Sequence, residues 1–331
     1  MTARAVRFIA PRQVQISSVP LPAQGPGDLL VRTRYSGISA GTELLAYRGE
    51  LDASVALDDT LGALTGTFRY PFGFGYSCVG EVEQGTAEIP TGSSVFAFHP
   101  HQDRFVAAEA DVVPLPPAVD LRAATLFPLV ETALQVTLDA GPVLGESVVV
   151  LGLGPVGLLT AQLLRRAGAR VLASEPRAWR RKIAESLDVP AVPPDQLSAR
   201  VTELTDGRGV PLIVELSGVP AALSDCLDLL AHEGTVLVGS WYGSKPVPLP
   251  LGGPFHRRRL TVRSSQVSTI PAAQQARWDV DRRRAAARDL LAELPLVTLA
   301  TTEFEFEDAA RAYAAIDHGK SGLIHAALRY E

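Results

Sequence analysis

Gly152, Gly154 and Gly157, in the run Gly152-Leu153-Gly154-Pro155-Val156-Gly157, are the residues whose spacing most clearly implies chemistry. The first glycine permits a tight turn and the second lets the main chain approach a pyrophosphate. The third lets a helix pack closely on the strand before it, with its first amides facing the phosphates. That chemistry needs a strand before the turn and a helix after it. The apolar run 147–151 and the amphipathic stretch 158–168 supply both. A second apolar run, 169–174, ends in Glu175, where a carboxylate suits the ribose hydroxyls of an adenosine half. The pattern therefore predicts a bound nicotinamide dinucleotide; the plainer alternative is a glycine-rich turn with no ligand. NAD is expected because Glu175 would repel a 2′-phosphate, while Arg177 and Arg180 leave NADP possible.

The elements around this turn organise the chain. Residues 1 to about 121 read as short strands broken by Gly and Pro, such as 29–35 and 79–83, which fits a β-rich, barrel-like domain. From 122 to 265 strands at 148–151, 171–174, 212–216, 235–238 and 260–263 alternate with helical stretches, which implies a parallel sheet. The tail, 266–331, offers a helix at 281–294, a second helix opened by Glu307-Asp308, and a strand at 323–328. A terminal strand needs a sheet, so the cofactor domain is expected to be inserted into a domain built from both ends of the chain. The clusters 257–259 and 282–284, three arginines each, read as solvated faces. A net charge of −5 over 331 residues gives no reason to expect nucleic acid, and no apolar run approaches a membrane span. Two cysteines, Cys78 and Cys226, and a first segment without a signal-peptide core lead to the expectation of a cytoplasmic protein.

Along nearly its whole length the sequence resembles the medium-chain dehydrogenase/reductase superfamily. The resemblance rests on the blocks at 26–31, 36–43, 73–82, the glycine turn and 309–328. Blocks at 37–43, 255–260, 263–267 and 306–310 are similar to a branch that includes bacteriochlorophyllide hydroxyethyl dehydrogenases. The resemblance implies an α/β architecture: a GroES-like β-barrel catalytic domain plus a doubly wound Rossmann domain. It also implies that Thr132 touches the nicotinamide and that Ser217 lies at the cofactor. A homodimer and a small-molecule or peptide substrate are expected, with neither nucleic acid nor membrane as partner.

The departures from the family carry more information. Where zinc-dependent members place a cysteine before Gly-Thr/Ser-Asp, this chain has Ala40. Their Gly-His-Glu is Gly75-Tyr76-Ser77, and their third ligand falls at Phe127 or Pro128. A catalytic zinc needs about three Cys, His or carboxylate ligands, so no zinc is expected. The four-cysteine lobe is replaced by residues 96–104, and the usual relay histidine by Leu45.

Without a metal, an alcohol's hydroxyl proton must pass to a side chain as hydride leaves its carbon. Candidates are Tyr76, Thr42, Glu131 and His101, with Glu43 and His99 in reserve. Tyr76 could also merely fill the space of a lost ligand. Glu131 could be a structural partner for an arginine, Glu43 a buried support, and His99 a surface imidazole. The resemblance places Tyr76, Glu131 and His101 near the nicotinamide end of the cleft between the domains. The expected function is a metal-independent alcohol dehydrogenase or ketone reductase acting on a biosynthetic intermediate, a secondary metabolite or modified peptide. A zinc-free enone or quinone reductase and a silent dinucleotide-binding protein are the alternatives.

Overall fold

A computed structural model describes residues 2–300 and 302–331. It divides into two compact units, Met1–Pro128 with Ala285–Glu331, and Leu129–Arg284. The sequence placed these divisions at 121/122 and 265/266. The second lies further on because residues 266–279 form only a short 3-10 turn before the helix Val280–Glu293, whose Arg283 is bound to Glu131.

In the unit 129–284 the strand Ser147–Leu151 is buried at every residue, as a strand covered on both faces must be. It lies inside a six-stranded, all-parallel sheet. From one edge the order is Ala191–Val192, Arg170–Ser174, Ser147–Leu151, Val210–Glu215, Leu230–Val238 and Thr261–Ser264. In sequence terms this is 3-2-1-4-5-6, so the chain reverses direction of travel between Ser147–Leu151 and Val210–Glu215, the position where doubly wound sheets bind ligands. The two-residue strand Ala191–Val192 was not expected, because Pro190 and Pro193 cut its apolar run short.

In the other unit the strand Asp28–Ile38 is the hub. It pairs antiparallel with Cys78–Gln84, Arg104–Ala108 and Ala326–Arg329. The last pairing carries the C-terminal strand into the N-terminal sheet, as expected, and Thr302–Glu305 adds a parallel neighbour outside it. A three-stranded sheet of Gln13–Pro20, Thr2–Ala10 and Phe72–Gly73 encloses an aromatic core. Phe8 stacks on Phe72 at 5.1 Å and meets Tyr313 edge-on at 5.2 Å, geometries that aromatic quadrupoles favour. Among the described residues no helix is long and apolar enough to cross a membrane.

Candidate functional site

The glycine turn closes tightly on itself. Gly152 has φ 90°, and a Cβ there would lie 2.8 Å from the Cα of Ser217, so only glycine lets the loop after Val210–Glu215 approach the turn. A Cβ on Gly157 would lie 2.0 Å from the Gly152 carbonyl oxygen, which forbids any side chain under the helix Pro155–Arg166. Gly154 differs: it caps that helix without a side chain, and a Cβ there would meet nothing within 4 Å. The first helical bond runs from Leu158 N to Gly154 O at 2.9 Å, and Pro155 has no N–H. The amides of Val156 and Gly157 thus lack an intrahelical carbonyl. Open space beside Gly154 and two orphan amides at a helix N-terminus fit a pyrophosphate.

Glu175 closes the other end of the cradle and is 2 % exposed. Its Oε2 accepts from Leu153 N at 3.0 Å and its Oε1 from Arg177 N at 3.0 Å. A carboxylate has about four acceptor sites, so two stay open for ribose hydroxyls. Arg177 and Arg180 reach Glu175 at 3.7 and 3.6 Å, and Arg180 lies over the Trp179 ring. Ser217 is pinned through its N–H, at 2.6 Å, and its hydroxyl to Oε1 of the fully buried Glu215. Tyr242 donates to the other oxygen of Glu215 at 2.7 Å. Thr132 sits on the helix Phe127–Ala140 next to Glu131.

Glu131 is buried and committed to an arginine. Its Oε1 accepts from Arg283 Nε at 3.1 Å and Nη2 at 2.9 Å, with Arg284 at 3.7 Å. Arg283 Nη1 also donates to Gln135 at 2.6 Å, and Gln135 donates to Asp139 at 3.2 Å. Burial pushes the Glu131 carboxyl up, against the pull of the two arginines. This is the structural partnership that the sequence weighed for Glu131. The reading of residues 282–284 as solvated is overturned for Arg283, which is 2 % exposed. A signal existed. Positions 283, 287, 291 and 294 share one helical face, and Ala287, Leu291 and Leu294 are all buried.

In the other unit Tyr76 is half-buried, with Ser39 and Thr42 as polar neighbours. Burial and the charge of Glu43 push its phenol up to about 12, while Ser39 and Thr42 pull it down. His101 is fully buried, with Nδ1 2.7 Å from Ser36 Oγ and Nε2 2.9 Å from Glu43 Oε2. Both ring nitrogens are occupied, so a substrate hydroxyl has no nitrogen of His101 to meet. Glu43 also accepts from Ser39 N at 2.8 Å and from the Tyr313 hydroxyl, and Ser36 bonds Tyr330 at 2.8 Å. His99 stacks on Phe105 at 4.3 Å rather than standing free at the surface, and burial lowers its imidazole to about 4. Leu45 is buried in its helix.

Ala40, Tyr76, Phe127 and Pro128 offer no Cys, His or carboxylate where the resemblance would put zinc ligands. Among the described residues no group of three or more His, Cys, Asp or Glu is placed to hold a metal ion. The residues present do not fit a catalytic zinc.

Comparison with known proteins adds to this geometry. Residues 155–281 match the family described as zinc-binding dehydrogenase. The chain is 25 % identical to a 2-dehydro-3-deoxy-L-galactonate 5-dehydrogenase from Pseudoalteromonas atlantica, over 73 % of this chain and 77 % of that one. It is 27 % identical to the 2-desacetyl-2-hydroxyethyl bacteriochlorophyllide A dehydrogenase of Cereibacter sphaeroides, over 75 % and 76 %. Among solved structures, an alcohol dehydrogenase from Thermus sp. ATN1 shares the fold with a TM-score of 0.76 at 23 % identity, covering 99 % of this chain and 100 % of that one.

Proposed function

On the premise that this chain belongs to the medium-chain dehydrogenase/reductase superfamily and is a nicotinamide-dependent oxidoreductase, we propose that it works without a metal, uses NAD, and interconverts an alcohol and a ketone with Tyr76 as the proton donor. Its substrate is a biosynthetic intermediate, a secondary metabolite or modified peptide. The observation that carries this reading is the Tyr76 phenol. It stands where zinc-dependent relatives, by the resemblance, keep an imidazole ligand, with Ser39 and Thr42 as its polar neighbours.

A bound dinucleotide supplies or accepts the hydride; the chain's own residues handle the proton. With its phenol raised to about 12, Tyr76 is protonated at neutral pH. It can therefore hydrogen-bond a carbonyl oxygen and donate as negative charge develops there. The competing candidates are engaged elsewhere: His101 by Ser36 and Glu43, Glu131 by Arg283. A hydroxyl set with no free base also suits a second reading, an enone reductase in which the carbonyl is held while carbon takes the proton.

Tyr76→Phe tests the assignment. Over a panel of ketones and enones with NADH, turnover should fall by about a hundred- to ten-thousand-fold, with NADH affinity unchanged by fluorescence titration. Near-native turnover would remove Tyr76 from the chemistry. Metal analysis should find well under one zinc per chain; stoichiometric zinc lost together with activity on chelation would refute metal independence.

A further inference from the structure

We propose that Glu43, oriented by His101, is a positioning residue for Tyr76: an anionic carboxylate fixed behind the phenol keeps it a proton donor. The inference rests on the reading of Tyr76 given above, and its test needs no substrate.

The hydrogen bonds behind Tyr76 form a chain with one direction. Among the described residues the Tyr330 hydroxyl bonds only Ser36, so its proton has Ser36 Oγ as acceptor. Ser36 then donates to His101 Nδ1 at 2.7 Å, and His101 Nε2 donates to Glu43 Oε2 at 2.9 Å. Tyr313 donates to the same oxygen and Ser39 N–H to the other. Three donors aimed at one buried carboxyl group call for the ionised form. The reversed chain would leave the buried Tyr330 proton without an acceptor, which burial penalises. Run in this inferred direction, the imidazole is neutral and does not cancel the Glu43 charge. Among the described residues no Lys or Arg pairs with Glu43, whose only ion-pair partner is His101.

The backbone ties this carboxylate to Tyr76. Gly75, immediately before it, has φ 106°, and a Cβ there would lie 2.5 Å from His101 Cδ2. The main chain that delivers Tyr76 therefore rests on the ring that orients Glu43, and no other residue type fits. On the other side, Ser39, a polar neighbour of Tyr76, donates its N–H to Glu43 at 2.8 Å. The titratable groups facing Glu43 are His101, Tyr313 and Tyr76, with Tyr330 and Cys78 at longer range, and Asp58 adds a second negative charge near Tyr76. None of them supplies the cation that would make Tyr76 a base.

The test replaces Tyr76 by 3,5-difluorotyrosine, a near-isosteric phenol that ionises near neutral pH, and follows phenolate absorbance. The phenol in the protein should ionise at least about one pH unit above the free amino acid, as a half-buried phenol beside an anion must. Glu43→Gln should abolish much of that shift, and Glu43→Asp should retain it. An unchanged titration in Glu43→Gln would overturn the proposal. If circular dichroism shows that Glu43→Gln does not fold, 15N-histidine NMR of the unaltered protein decides. His101 should carry its proton on Nε2 alone at pH 7, and an imidazolium there would overturn the proposal. Full activity of Tyr76→Phe would sink the functional reading instead, and the phenol titration tells the two failures apart.

Discussion

The dinucleotide cradle and the polar site around Tyr76 are built from different material. In residues 129–284 the proposed binding surface is main chain: a turn at Gly152, open space at Gly154 and amides at a helix start. In the other unit the proposed site is side chain: Tyr76, Ser39 and Thr42, with Glu43, His101, Ser36 and Tyr330 beside them. A main-chain site depends on what is missing, namely side chains at three positions. A side-chain site depends on groups brought together from distant parts of the chain. The first is lost by adding one side chain, the second by removing one.

The largest effect should come from the side-chain cluster inside the cofactor unit, which breaks the simple contrast. Arg283→Ala removes both hydrogen bonds to the buried Glu131 and leaves it only Arg284 at 3.7 Å, and should cost about 3 kcal/mol in denaturant unfolding. Replacing Glu131 and Arg283 together by Leu and Met should restore most of it. A small effect of the single variant would mean the pair is far more solvated than its burial implies.

Two glycines three residues apart should then separate folding from binding. A Cβ at Gly154 meets no protein atom within 4 Å, so the fold should survive Gly154→Val while NADH affinity falls at least about a hundredfold, two steps of 1.4 kcal/mol. Gly157→Ala strikes the Gly152 carbonyl and should lower the melting temperature even without cofactor. Equal loss of stability in both would deny that Gly154 borders ligand space.

Acid should act on the side-chain unit. His325 is buried with its imidazole lowered by burial to about 4. The folded state thus binds the proton less well than the unfolded chain, whose histidines titrate near 6.5. Its folded-state stability is complete above about pH 6.5, and up to about 3 kcal/mol is lost as pH falls toward 4. Urea midpoints at pH 7.5 and 4.5 should show this slope, and His325→Gln should flatten it.

The smallest effect concerns cofactor choice. Glu175→Gln removes the charge, and its single carbonyl oxygen keeps only one of the bonds from Leu153 N and Arg177 N; it should improve NADPH affinity relative to NADH by roughly tenfold. No change would mean that Arg177 and Arg180 already decide the preference.

Much of this was legible from residue order alone. The order strand, glycine turn, helix, second strand and acid is local, spanning residues 147–175, and the parallel sheet follows from strands alternating with helices. Local patterns also anticipated the C-terminal strand, because an apolar run that ends a chain must pair with some sheet. Arg283 was missed because the charged triplet was read as a surface before its helical face was counted.

What the sequence determined by itself was chemistry set by neighbours: three glycines whose missing side chains shape a turn, and positions where no metal ligand stands. What only the tertiary structure decided was which polar groups meet. Glu43 finds His101 58 positions away and Tyr313 270 away, and Ser36 finds Tyr330 294 away. No periodicity carries such pairings. Buried donors and acceptors must find one another once the sheets close, and the closure of the whole unit selects the partners.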